Sequence, residues 1–147
     1  MSLITDAIFV KALRSNDELI EQMPAGDVYN TAIALPEEEA DNAPVPYIIV
    51  SFDGLTNDVE TKDDPYEGES DDVTISIMIA ARTRSELGQL ADAVRQQVHR
   101  YFVDADPTDE DADLIPHDYQ FSAQEVIYDS SKPCYWQVLT YQCDTNA

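Results

Sequence analysis

Residues 73–102 read VTISIMIAARTRSELGQLADAVRQQVHRYF and hold two hydrophobic periods back to back. In the first part Val73, Ile75, Ile77, Ile79 and Ala81 fall on one face, and Thr74, Ser76, Met78, Ala80 and Arg82 on the other. A period of two with β-branched residues on the apolar side predicts a half-buried strand over 73–82. The period then changes. Leu87, Leu90, Ala91, Val94, Val98 and Tyr101 recur at three- and four-residue steps, which predicts a helix over 83–102 with one apolar stripe. Thr83 and Glu86 stand at capping-box spacing. The Thr83 hydroxyl is expected to accept from the Glu86 N–H, and the Glu86 carboxylate to reach back to the Thr83 N–H. A strand that runs directly into a capped helix is a scaffold and carries no chemistry by itself.

Before this stretch, Ile4, Ile8, Phe9 and Ala12 form an apolar stripe with Leu13 beside it, predicting a first helix over 4–14 capped by Ser2 or Thr5. A further helical turn around Leu19 and Ile20 ends at Met23-Pro24-Ala25-Gly26, since Pro and Gly both break helix. Residues 28–34 read as a short strand. Residues 47–52 (YIIVSF) read as a strong strand continuing to Thr56. After the helix, strands are expected over 119–129 and 134–143, joined by the turn Ser130-Ser131-Lys132-Pro133. The fold class is therefore α+β: a mainly antiparallel sheet with two helices on one face, in the order α-β-β-β-α-β-β, forming one domain over 1–147. In the last strand Tyr135, Leu139, Tyr141 and Cys143 alternate with Trp136, Val138 and Thr140, so both faces carry bulk. Such a strand is either central in its sheet or covered by a partner. The aromatic density there makes Tyr128, Tyr135, Trp136 and Tyr141 candidates for a subunit interface, against the plainer reading as sheet core.

Thirty acidic residues oppose eight basic ones, for a formal charge of −22. Duplex nucleic acid is disfavoured as a ligand, because its affinity comes largely from Lys and Arg displacing counterions. Anionic membranes are disfavoured for the same reason. The acid concentrates near 35–46, 53–72 and 104–116. These segments read as too polar to bury: loops, with 53–72 either a long loop or the extended tip of a hairpin joining 47–56 to 73–82, and with Leu114 and Ile115 tucking the last one back onto the core. No apolar run approaches the ~20 residues that span a bilayer, and no signal peptide is evident, so a soluble protein made in the cytoplasm is expected. Cys134 and Cys143 lie nine positions apart on one strand. That is roughly 30 Å with the side chains on opposite faces, so they are expected to be free thiols.

The sequence offers little for catalysis. His99 has no acid or thiol at helical spacing to orient it, and His117 follows Pro116 in a loop. No phosphate-binding Gly-rich loop, GxSxG, HExxH or CxxC is present. The acidic runs DADPTDEDAD and DDPYEGESDD supply oxygen ligands but miss the EF-hand register. No catalytic residue, cofactor or metal ligand is assigned.

The pattern over nearly the whole chain resembles the small tail-terminator (tail-completion) proteins of long-tailed phages and prophages. The resemblance rests on the short N-terminal helix and on Pro46-Tyr47-Ile48-Ile49-Val50. It continues, after a polar hairpin, with Val73-Thr74-Ile75-Ser76-Ile77 and Ser85-Glu86-Leu87 through Leu90-Ala91-Asp92-Ala93-Val94-Arg95. It closes on Tyr128-Asp129 and Tyr135-Trp136-Gln137-Val138-Leu139-Thr140-Tyr141. The resemblance implies a structural virion protein, not an enzyme. Copies would form a ring, commonly a hexamer, that caps the tail tube, ends its polymerisation and joins it to a head-side connector protein. The setting implied is the virion tail, after assembly in the host cytoplasm. DNA would pass the ring without being bound, and a negative lumen suits that. The extreme acidity of 104–113 is a departure from the family pattern. Two other readings stay open: a head-closure or neck connector, and a monomeric calcium- or ligand-binding module.

Overall fold

The computed structural model describes residues 2–24, 27–30, 45–57, 70–108 and 112–146. A 3-10 turn over Ser2–Ile4 leads into α1 (Thr5–Arg14) and α2 (Asp17–Glu21). Strands β1 (Tyr29–Asn30), β2 (Tyr47–Thr56) and β3 (Ser70–Ala81) follow, then the long helix α3 (Arg84–Val103). A second 3-10 turn (Ala112–Leu114) precedes β4 (Asp118–Ala123), β5 (Ile127–Asp129) and β6 (Cys134–Asn146). The sheet order is β1-β2-β3-β6-β4, with β5 also pairing β6. Every pair is antiparallel except β1 with β2. The α+β class and the mainly antiparallel sheet hold as expected, with more elements than the predicted order contained.

The stretch 73–102 folds as its two periods require. Val73, Ile75, Ile77, Ile79 and Ala81 are all buried, at 1% exposure or less. Leu87, Leu90, Val94 and Val98 of α3 are buried against them in the same core. Ile48 and Val50 of β2, and Leu139, Tyr141 and Cys143 of β6, fall on the same side by register. Helix α1 brings Ile8, Phe9, Val10, Ala12 and Leu13 to it. Burying a Leu or Ile side chain stabilises by about 1.5–3 kcal/mol, so this one layer of helices on one sheet face supplies most of the driving force for folding. The core is aromatic at one end: the Tyr141 ring lies 5.2 Å from Phe9, 5.2 Å from Phe121 and 5.5 Å from Tyr119. Gln97 of α3 ties the helices together by donating to the Ala12 carbonyl at 2.9 Å and the Ser15 hydroxyl at 3.0 Å.

Several local expectations change. Helix α1 begins at Thr5 with Ile4 at its N-cap position, so Thr5 is its first helical residue and not its cap, and the expected Ser2 side-chain cap lies outside the described residues. Asn16 caps α2 instead, accepting from the Leu19 N–H at 3.2 Å. The α3 capping box is half formed: the Thr83 hydroxyl accepts from the Glu86 N–H at 3.1 Å, but the Glu86 carboxylate turns to Arg82 at 3.2 Å. An i,i+4 cation competes for that carboxylate and wins it. Strand β3 starts at Ser70, inside a run read as loop. Its Asp71 is only 8% exposed and accepts from the Asn57 amide at 2.7 Å, so an amide partner makes that carboxylate compatible with burial. The strand expected over 119–129 is interrupted. Its β4 part pairs with β6 from Asp118↔Asp144 to Ala123↔Leu139, and the Gln124 N–H still donates to the Val138 carbonyl at 2.9 Å. Pairing resumes at Ile127↔Trp136 with one extra residue on the β4–β5 side, the signature of a β-bulge.

Of the strand expected over 28–34, residues 29–30 form a strand, Val28 precedes it as a buried non-strand residue, and 31–34 lie outside the described residues. So do most of the acidic segments 35–46 and 53–72, and residues 109–111 of the third. Leu114 and Ile115 pack against the core as expected. Both cysteines are free and buried. Burial pushes the Cys143 thiol up to about 12. The Cys134 thiol is also raised, first by burial and then by Asp129.

Candidate interaction surfaces

The four aromatic candidates do not share one surface. Tyr141 is 1% exposed and belongs to the chain's own core. Its hydroxyl has no hydrogen-bond partner, and burial raises its pKa. Tyr128 and Tyr135 are a cross-strand pair at the β5–β6 edge, their rings 4.9 Å apart. Tyr128 is 55% exposed, while Tyr135 packs against the core. Trp136, the next residue, points to the opposite face of the sheet, where it is half-buried. Alternation along one strand separates neighbours that a linear reading groups together.

That opposite face carries none of the described helices. Register places its side chains in rows across the strands. One row is Tyr47, Ala80, Trp136 and Ile127; the next is Ile49, Met78 and Val138. The third, Ser51, Ser76, Thr140 and Ser122, bears hydroxyls. The fourth, Gly54, Thr74, Gln142 and Gln120, is polar and uncharged, and the fifth and last, Thr56, Asp72, Asp144 and Asp118, is acidic. Polarity therefore rises steadily along the strands, from two apolar rows to carboxylates. The apolar end is only half-buried, apart from Ala80, and its Ile127 is 41% exposed. A graded face of this kind suits contact with another surface better than enclosure of a small molecule.

A second feature lies on the helix side, between α3 and β4. His99 Nδ1 and the Tyr119 hydroxyl are 2.6 Å apart, so His99 does have an orienting partner, supplied by a strand distant in sequence. Burial raises the Tyr119 hydroxyl, and nearby Arg95 opposes that rise. Arg95 stacks over the Phe121 ring at 4.3 Å from its centroid. Among the described residues no acid hydrogen-bonds His99 and no nucleophile is hydrogen-bonded to it, so the pair has the geometry of a structural clamp between helix and strand. His117 is exposed, and its backbone N–H donates to the Asp144 carbonyl at 2.8 Å.

Among the described residues no group of three or more His, Cys, Asp or Glu is placed to hold a metal ion. No described helix is long and apolar enough to cross a membrane. No protein-family model matches the chain, and no curated protein matches its sequence.

Proposed function

We propose that this chain is a structural virion protein of the tail-terminator type. Copies form a ring that caps the tail tube, ends its polymerisation and offers the joining surface to a head-side connector protein. The observation that carries this reading is the open sheet face, with two apolar rows left half-exposed beside a fully built core. Stacking all the described helices on one side leaves the other side for a partner, as an assembly component requires. The charge of −22 supports the same role, because a conduit lined by carboxylates lets phosphate pass without holding it. The reading assigns no catalytic group, cofactor or metal, places the protein in the virion tail and gives it no membrane contact.

The test is native mass by light scattering, then negative-stain imaging, then co-purification with tail-tube protein and, separately, with the head-side connector. A closed ring with a central hole that captures tube protein is the expected result. Capture of the connector alone would move the role to head closure. A monomer that captures neither would overturn the proposal.

A further inference from the structure

We infer that the groove between α3 and β4 receives the acidic turn that follows α3 in a second copy, making a head-to-tail subunit contact. This is a contact of the proposed ring and rests on that reading. The groove runs along one flank of α3, where Arg84, Gly88, Asp92, Arg95 and His99 succeed one another at three- and four-residue steps. At 1.5 Å per residue it is about 22 Å long, longer than the compact turn over 104–108 that would seat in it. It consists of two adjoining hollows of about 730 and 320 Å3 that share Asp92, Arg95 and Phe121. Phe121 and Ala91 make its floor partly apolar.

The charge in this groove is out of keeping with the chain. Thirty carboxylates are available, and yet Arg84 and Arg95 form no ion pair with any described residue. Gly88 has a part in this. A Cβ there would lie 3.3 Å from an Arg84 guanidinium nitrogen, a contact this flexible side chain could relieve by a small shift, so the glycine leaves the guanidinium extra room beside the helix. A mid-helix glycine costs about 1 kcal/mol relative to alanine, and here it coincides with the placing of a cation.

The complementary surface lies at the other end of the same helix. Val103 is 66% exposed, and Asp104 and Asp106 beside it are exposed too. The Asp106 carboxylate is held by the Thr108 N–H at 2.9 Å and the Thr108 hydroxyl at 2.7 Å, which lower its pKa and fix its direction. One apolar side chain flanked by two carboxylates matches a partly apolar floor flanked by two guanidiniums. Asp92 and Asp118 also line the groove and repel an acidic guest, so its carboxylates seat toward Arg84 and Arg95. Because the two surfaces are different parts of one molecule, the contact is heterologous, the type that closes into rings.

The experiment is a charge swap on the full chain, read by native mass against concentration. Arg84→Glu with Arg95→Glu, and separately Asp104→Arg with Asp106→Arg, should each weaken self-association about tenfold or more. The four changes together should restore it; the acidic-turn variant by itself separates the contact from a general charge effect, because its two Asp→Arg changes make the chain less negative than −22 and would otherwise strengthen association. Arg95→Gln, a milder change, should weaken it about threefold. Wild-type association in the groove variants, or no rescue by the swap, overturns the groove contact and leaves the ring reading standing. A wild type that is monomeric at every concentration also overturns the groove contact, and capture of tail-tube protein then decides the ring reading on its own.

Discussion

Tyr141 concentrates the residue-scale physics. Its ring bridges helix α1 and strand β4 through Phe9, Tyr119 and Phe121, and its hydroxyl is buried without a partner. A buried unpaired hydroxyl costs about 1–3 kcal/mol of desolvation. Tyr141→Phe should therefore leave stability unchanged or raise it by about 1 kcal/mol, and Tyr141→Ala should lower it by about 3–5 kcal/mol through loss of the ring. Urea midpoints at constant m-value measure both. A Phe variant that is clearly less stable would mean the hydroxyl has a partner. Cys143 adds a pH dependence of definite sign. At neutral pH its thiol is protonated in both folded and unfolded chains, so it contributes no slope there. Above about 9 the unfolded chain releases the proton, whereas the folded chain holds it up to about 12. The unfolded state is then favoured as pH rises, by up to about 1.4 kcal/mol per pH unit. Tyr141 acts in the same direction above 10. The urea midpoint should be flat from pH 7 to 8.5 and fall above 9, with a shallower fall in Cys143→Ala. A flat profile up to pH 10.5 would refute the assignment. None of this was legible in the sequence. A free buried thiol was, but its depth and the orphan hydroxyl depend on what packs around them. The His99–Tyr119 clamp was missed for the same reason, since its two members are twenty positions apart and meet only when β4 docks beside α3.

At the scale of elements, α3 is the piece whose reading was most secure. Its apolar stripe, its start and its Thr83 cap all follow from spacings of three and four residues, and helical hydrogen bonds are local. Thr83→Ala should cost about 1 kcal/mol, measured as a lower urea midpoint. Glu86→Ala should cost less than that, because its carboxylate is engaged with exposed Arg82 and not with the cap backbone. Equal losses for the two would mean that the reciprocal half of the box forms in solution. The β4–β5 bulge was not legible, because an extra residue is defined against a partner strand and leaves no mark on its own period. The extension of β3 back to Ser70 was hidden for a different reason. Composition marks Asp71 as loop, and the Asn57 amide across the hairpin helps make its burial tolerable.

At the scale of the whole molecule, in the proposed role the helix-covered sheet face holds the fold and the opposite face makes the contact. Met78→Lys with Val138→Lys places two charges in the centre of the apolar rows, away from the helix-covered core. The double variant should keep its urea stability within about 1 kcal/mol and lose capture of tail-tube protein or ring formation. Assembly equal to the wild type would show that this face is not a contact. The sequence by itself determined the α+β class, the strand-to-helix unit at 73–102 and the strong negative charge, because hydrophobic period and composition are properties of local order along the chain. Tertiary structure alone decided that Tyr141 is core, that Trp136 lies on the face without described helices, and that polarity grades across that face. It alone brought Arg84 and Arg95 into one groove with Phe121. Those facts depend on register and on helix docking, which join residues far apart in sequence through contacts that no local period encodes.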